Sequence, residues 1–392
     1  SADPVESFLD EQTAKLEEAV PGKFSINSRT RYEIFDKDSG KSSDDRDGFS
    51  TRVRYGYTTP NFNGFTAMAE GETLTRLGGD HDDIHPLDDD GDGTDLNQLW
   101  VQYANEDYGK AKVGRQIYSL DDHRFIGHVG WRQNIQTFDA ATADYTGIDN
   151  LSVKGFFSDA VNRVNGDYFK MDTYGANISY KFYDNFTLTG FYYEMDDADN
   201  PAFENETFGV RAVGSFNLGE QKFKYAGSIA KQDFDENDAG EDDATYLAAD
   251  LSTIVAGITL GAGFEIMESG FRTPVATVHK FNGFADVYTP LNGFDNGLED
   301  FYGYIGYTIP VGNGIPVKLI YHTFDAESGA ASGQDGGDEI DLVASYKINK
   351  YLNLIAKYGS YSEDGGIGLA TDNKGVGGVD KDMFTFEVNF IY

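Results

Sequence analysis

The chain closes on Met383-Phe384-Thr385-Phe386-Glu387-Val388-Asn389-Phe390-Ile391-Tyr392. Phe384, Phe386, Val388, Phe390 and Tyr392 share one parity, while Thr385, Glu387 and Asn389 share the other. Successive side chains of a strand point to opposite faces, so this segment reads as a strand with one greasy face and one wet face. A soluble sheet could end this way. An outer face that is nearly all aromatic, in a chain whose mean hydropathy is −0.47, points instead to an outer-membrane β-barrel.

Composition agrees with a barrel. The 392 residues include 46 Gly, 29 Phe, 25 Tyr and only 9 Pro, which suits many strands joined by turns. No segment approaches the roughly 18–20 consecutive apolar residues of a membrane helix. The low mean hydropathy is what alternating lipid-facing and lumen-facing positions average to. With no cysteine, disulfides and thiolate chemistry are excluded. The start Ser1-Ala2-Asp3 reads as processed or engineered, so export is inferred without a visible signal peptide. A formal charge of −35 argues against nucleic acid as a partner.

The acids are concentrated in nine runs, often with Gly and Asn: 36–47, 80–95, 121–122, 167–172, 194–206, 233–243, 299–300 with the loop before it, 325–341 and 363–382. Between them lie pairs of amphipathic segments that meet at short turns: 59–61, 105–107, 147–150, 183–185, 218–220, 253–257, 310–314 and 348–350. Nine long loops alternating with eight short turns require eighteen strands, with both barrel ends in the periplasm and the long loops outside. Sixteen strands is the alternative, because 134–148 and 151–162 alternate poorly. The expected architecture is an all-β, antiparallel transmembrane barrel over 23–392, preceded by a helix within 1–22. That helix, Pro4–Val20, is amphipathic and ends at Pro21-Gly22; it is expected to lie against the periplasmic end, with a lumen plug or an oligomerisation helix as alternatives.

Strand parity assigns the lumen. Phe24, Ile26, Thr30, Tyr32 and Ile34 would face lipid, leaving Asn27, Arg29, Arg31 and Glu33 inside. Val53, Tyr55 and Tyr57 face out, with Arg52 and Arg54 inside; Arg211 is inward, as is Glu387 in the terminal strand. Four arginines on two neighbouring strands make a basic wall that could select anions and hold carboxylates bidentately. Equally, they could pair with inward acids such as Glu33, Asp250, Glu265 or Glu387 and simply satisfy a polar lumen. Arg115 shares parity with Ala111 and Val113 and faces lipid unless a bulge at Gly114 shifts the register. If the terminal strand closes against 24–35, Glu387 lies beside Arg29 and Arg31.

The segments Gly114-Arg115-Gln116, Arg124-Phe125-Ile126-Gly127, Trp131-Arg132-Gln133 and Thr137-Phe138-Asp139 form a motif run, followed later by Thr277–Asp286 and Asn296–Asp300. Together with Arg29–Glu33 and Arg52–Tyr55, this run resembles the alginate-export porin family of the bacterial outer membrane. The resemblance implies a wide single-chain channel, commonly eighteen-stranded, whose arginine-rich lumen passes anionic polysaccharide or oligosaccharide. It also implies an inward Arg115, and it leans toward a monomer over the trimer of general porins. This chain is shorter than the alginate exporters and has more acidic loops.

Leu120–Gln133 is too long for a plain connection. Its Asp121, Asp122, His123, Arg124, Trp131 and Arg132 mark it as a loop that could fold into the barrel and narrow it; an ordinary extracellular loop is the alternative. Gly270–Gly297, with Phe281, Phe284 and Tyr288, could fold inward too. Asp88, Asp90 and Asp92 have the spacing of a calcium loop, but position twelve would be Leu99 and no helix flanks it, so an irregular structural Ca²⁺ site is the most it supports. No other cofactor is expected. Metalloprotease, serine-hydrolase and phosphate-loop signatures are all missing.

The expected function is therefore passive outer-membrane diffusion of small hydrophilic solutes, with anionic sugars or oligosaccharides foremost. A general or cation-preferring porin with an acidic mouth is the alternative, or a closed structural or adhesive barrel. The expected surroundings are outer-membrane lipid and lipopolysaccharide.

Overall fold

Lys23–Lys37 (β1) pairs on one side with Arg46–Thr58 (β2) and on the other with Lys381–Ile391 (β19), the last strand of the chain. The computed structural model describes residues 4–37, 45–79, 92–197, 201–234, 242–327, 335–363 and 379–392. Between those ends run β3 (Phe65–Gly79), β4 (Gly93–Asn105), β5 (Gly109–Gln116), β6 (Thr137–Tyr145), β7 (Leu151–Asn162), β8 (Tyr168–Phe169), β9 (Asp172–Tyr183), β10 (Phe186–Asp196), β11 (Asn205–Leu218), β12 (Gln221–Asp233), β13 (Asp243–Val255), β14 (Ile258–Met267), β15 (Leu298–Ile309), β16 (Ile315–Asp325), β17 (Asp335–Lys347) and β18 (Leu352–Ser362). β8 is a two-residue stub on β7. The other eighteen strands form one antiparallel sheet that closes at the β1–β19 seam. Closure leaves no unpaired sheet edge, which the hydrocarbon interior requires of any spanning sheet.

Among the described residues the strand ends fall where the alternation of acidic and apolar segments put them, and eighteen staves, not sixteen, result. Of the two poorly patterned stretches, 134–148 holds β6, which begins only at Thr137 after a long loop, and 151–162 is β7, whose pairing with β6 shifts register at Asp139/Ala140. At the seam, Arg31 stands opposite Glu387 and Arg29 opposite Asn389. Outward positions such as Ile26, Tyr55, Val101, Ile178, Val210, Ile229, Leu251, Ile305 and Phe386 are exposed, forming the lipid-facing band.

The buried apolar cluster does not lie between two sheets. It fills part of the lumen, where Leu120, Phe125, Ile126, Phe271, Val275, Tyr288 and Phe294 from two long loops meet wall residues Phe138, Phe156, Phe191, Tyr193, Tyr246, Phe324 and Tyr361. Helix α1 (Pro4–Ala19) has no buried residue and rests at the short-turn end. There Lys350 pairs with Asp10 at 2.6 Å and the Tyr351 hydroxyl donates to Asp10.

Candidate functional site: two loops folded into the lumen

The β5–β6 loop crosses the barrel and is held by walls on several sides. Arg29 Nη1 donates to the carbonyls of Gly130, Trp131 and Arg132, and Arg31 Nη2 to that of Trp131. Gln133 Nε2 donates to Ser50 Oγ at 2.9 Å, and Arg54 Nη2 reaches the Gln133 carbonyl. On the far side Asp121 accepts from Asn177 Nδ2 at 2.7 Å, and burial pushes its carboxyl above the ordinary range. Asp122 pairs with Arg211 at 2.9 Å. Arg124, fully buried, donates to Glu265 at 2.6 Å and to Asn282 at 3.1 Å. Within the loop Val129 takes φ = +52°, a costly conformation for a β-branched residue that persists only where the surroundings enforce it.

The β14–β15 loop folds into the same space. Its Phe284 and Ala285 backbone N–H groups donate to Asp341 and Glu339, Asn282 donates to Glu265 and Asp300, and Tyr288 donates to the Gly336 carbonyl. The two loops also bond to each other: Gly127 N–H to Val275 O at 2.9 Å, Thr277 N–H to His123 O at 3.0 Å, and Val129 N–H to Thr277 Oγ1 at 3.1 Å. Trp131 stacks on His279 with ring centroids 3.8 Å apart and 6° between planes, while Arg31 and Lys357 approach the indole at 4.2 and 4.0 Å. His279 Nδ1 lies 2.9 Å from Asp286 Oδ2, which an ionised carboxylate requires it to meet as a donor. Burial pushes His279 down to about 4, against the pull of Asp286, with Lys357 and Arg132 adding to the downward shift. Burial alone would raise Asp286, yet His279, Arg132 and Lys381 together hold it below the usual carboxylate range. His128 is likewise pushed down to about 4 by burial.

The sequence-assigned lumen residues fall into three groups. Arg29, Arg31, Arg52, Arg54, Arg211, Glu33 and Glu387 are on inward parity, but the guanidinium donors offered to a passing solute are largely taken. Arg31 pairs with Glu387 at 2.9 Å and Glu33 at 3.6 Å, Arg29 with Glu387 at 3.2 Å, and Arg54 with Glu72. The loop then covers this wall, so an open ladder there is replaced by an anchorage. Asp121, Asp122, His123, Arg124 and Trp131 do come into the lumen as a folded-in loop, along with the carbonyl of Arg132.

Arg115 is a correction. Gly114 has φ = +123°, but β4 and β5 stay in register through it, with Arg115 opposite Leu99. Leu99 is 53% and Val113 63% exposed on that face, so Arg115 is on the outer surface, where it pairs with Asp139 at 2.7 Å near the loop end. Asp88 and Asp90 of the candidate calcium site lie outside the described residues, and Asp92 accepts from the Arg76 N–H at 2.6 Å. No group of three or more His, Asp or Glu suited to a metal occurs among the described residues.

Sequence reasoning missed Asn282, His279, Asp286, Asp300, Glu339 and Asp341 as loop anchors. The signal was present in part: Glu265 of β14, Asp300 of β15 and Glu339 and Asp341 of β17 are inward acids close together in the wall, and buried carboxylates demand partners.

The sequence profile of the Alginate export family matches residues 20–260. The match ends before the β14–β15 loop. No curated protein matches the chain. Among solved structures, Acinetobacter baumannii OccAB2 is similar with a TM-score of 0.74 at 13% identity, covering 94% of this chain and 98% of that one. Pseudomonas aeruginosa OpdK with vanillate gives a TM-score of 0.72 at 16% identity over 95% and 98%. Pseudomonas aeruginosa OccK11 gives 0.68 at 15% over 94% and 95%. With well over half its length matched by the profile and its sheet closed in eighteen strands, the chain belongs to the Alginate export family and is an outer-membrane β-barrel of porin type.

Proposed function

We propose that the protein is a passive channel for small hydrophilic anions, of the size of simple carboxylates and sugar acids. The observation that carries this reading is a surplus of inward cations in the turn-side half of the lumen, beyond the folded-in loops. Lys110 and Lys112 of β5, Lys154 of β7, Lys222 and Lys224 of β12 and Lys318 of β16 have lumen parity by register, against Asp144 of β6 and Asp250 of β13. Lys110 pairs with Asp144 at 3.4 Å, and Asp250 accepts from Tyr304 at 2.9 Å, which leaves several ammonium groups to meet an anion. Cations lining a pore lower the barrier to anions.

Two loops within the lumen favour small solutes over a polysaccharide. Vanillate, present in the OpdK structure, is a small carboxylate and supports the same class.

The test is the reversal potential in planar bilayers under a salt gradient. An anion-selective sign supports the proposal. A cation-selective sign would favour the acidic mouth of a chain carrying −35, and no conductance would leave a structural barrel.

A further inference from the structure

Lys357 of β18 meets the two-loop partition through aromatic rings alone. Its Nζ lies 4.0 Å from the centre of the Trp131 ring and 4.8 Å from that of Phe284, one ring from each loop. Both rings are fixed by other contacts. Each stacks on His279, at 3.8 and 5.4 Å between centroids, and the Phe284 N–H donates to Asp341. Among the described residues Lys357 has no hydrogen-bond acceptor and no carboxylate within ion-pair distance. The acids whose field reaches it are engaged elsewhere, Glu387 with Arg29 and Arg31, and Asp286 with His279.

Its placement keeps this ammonium within reach. Lys357 has lumen parity, opposite Val343 on β17 and Thr385 on β19. Gly359, the next inward position toward the long-loop end, lies directly against the β14–β15 loop, where an added Cβ would stand 3.0 Å from the Phe284 Cβ and the Ala285 nitrogen. Lys357 is therefore one inward step to the turn side of that loop. Its side chain is partly exposed, and its Nζ is not among the polar atoms sealed away without a partner. An aromatic face steadies a cation without neutralising it. The N–H donors of the ammonium remain for an oxygen that arrives through the lumen.

We propose that Lys357 is the carboxylate-receiving group of the partition, binding the acid group of a small solute while the solute body rests against Trp131 and Phe284, both partly exposed. The chemistry selects the class. A carboxylate accepts charge-assisted hydrogen bonds from the ammonium, and the apolar edge of a small organic acid suits the flanking rings. The neighbouring arginines are a poorer choice, because Arg29 and Arg31 are taken by Glu387 and by loop carbonyls. Two rings already hold the Lys357 ammonium in place, so less freedom is lost when an anion binds there than at an unsupported lysine. This site rests on the anion-channel reading and names the residue at which the partition would recognise its solute.

Single-channel chloride current in planar bilayers, titrated with sodium gluconate as a small sugar acid, tests the site. Gluconate should reduce the wild-type current saturably. Lys357→Met should raise the half-blocking concentration about tenfold, as loss of one charge-assisted hydrogen bond does, and Lys357→Arg should largely restore it. An unchanged half-blocking concentration in Lys357→Met overturns the proposal. The wild-type reversal potential separates this failure from that of the channel reading. An anion-selective channel whose block ignores Lys357 keeps the reading and loses the site, whereas a cation-selective channel loses both. If Lys357→Met fails to fold, the emission of Trp131 in a Trp100→Phe variant decides. Replacing chloride by gluconate at constant ionic strength should then shift that emission saturably, and no shift overturns the proposal.

Discussion

The Trp131 indole lies flat on the His279 imidazole, 3.8 Å centroid to centroid and 6° from parallel. This contact joins the β5–β6 loop to the β14–β15 loop, beside Arg31 of β1 and Lys357 of β18. It also joins the two blocks of sequence that carry the family resemblance, 114–139 and 277–286. Those blocks are far apart in the chain, yet Arg124 meets Asn282, Val129 meets Thr277 Oγ1 and His123 meets the Thr277 N–H. The blocks therefore encode one object, a two-loop partition folded into the lumen.

Acid should loosen this partition. His279 and His128 are both pushed down to about 4 in the folded protein, whereas an unfolded or undocked histidine titrates near 6.5. Depressed histidines favour the docked state fully above pH 6.5, and that preference is lost progressively as pH falls toward 4. Asp286, held below its ordinary value, loses its own contribution only at lower pH. Trp131 is one of 2 tryptophans, so a Trp100→Phe variant isolates its emission. The emission should be flat from pH 8 to 6.5 and change between 6.5 and 4. A transition above pH 7, or none, would remove the histidines as the cause.

Trp131→Ala should open the lumen. The substitution removes the stack on His279 and both cation contacts, while the backbone carbonyls that Arg29 and Arg31 hold stay in place. Truncating a buried Trp costs about 3–5 kcal/mol when the site cannot collapse, and this partly exposed position should lie at the low end. Single-channel conductance should rise, with more frequent open-channel noise. Unchanged conductance would show that the partition is held by its backbone contacts alone.

Selectivity should follow the lysines and ignore Arg115. Neutralising Lys110, Lys112, Lys222 and Lys224 together by Gln should move the reversal potential toward cations. Arg115→Gln should leave it where it was, because Arg115 faces outward and pairs with Asp139. Its loss should cost no more than about 1 kcal/mol, as for other partly exposed ion pairs. A selectivity shift in Arg115→Gln would place that side chain in the path after all.

The barrel was legible because its signals are local. Period-two alternation, Gly- and Asn-rich breaks and acidic loops are each read within about ten residues, and all eight short turns follow from them. Parity also put Arg29, Arg31, Arg52 and Arg54 on one face of β1 and β2, and it read Arg115 as outward where the motif resemblance read it as inward. What the inward residues bond to was not legible. Arg124 finds Glu265, and Ala285 finds Glu339, only after eighteen strands have closed and two loops have chosen the interior over solvent. That choice depends on summed packing across the lumen, which no single segment of sequence carries.

The seam offers the last test. Glu387, on the final strand, accepts from Arg31 at 2.9 Å and lies 3.2 Å from Arg29 across the closing β1–β19 ladder. Glu387→Gln keeps the shape and one acceptor but removes the charge, leaving Arg29 and Arg31 with a deficit in a buried setting. Breaking a buried pair from one side costs about 3–5 kcal/mol, because the surviving charges remain desolvated. The barrel should therefore lose its compact migration in detergent gels at a lower heating temperature. Glu387→Gln paired with Arg31→Met should recover part of the loss, since the second change removes one stranded charge. If the double variant melts below the single one, the two residues contribute separately to the wall and the seam does not depend on their pairing.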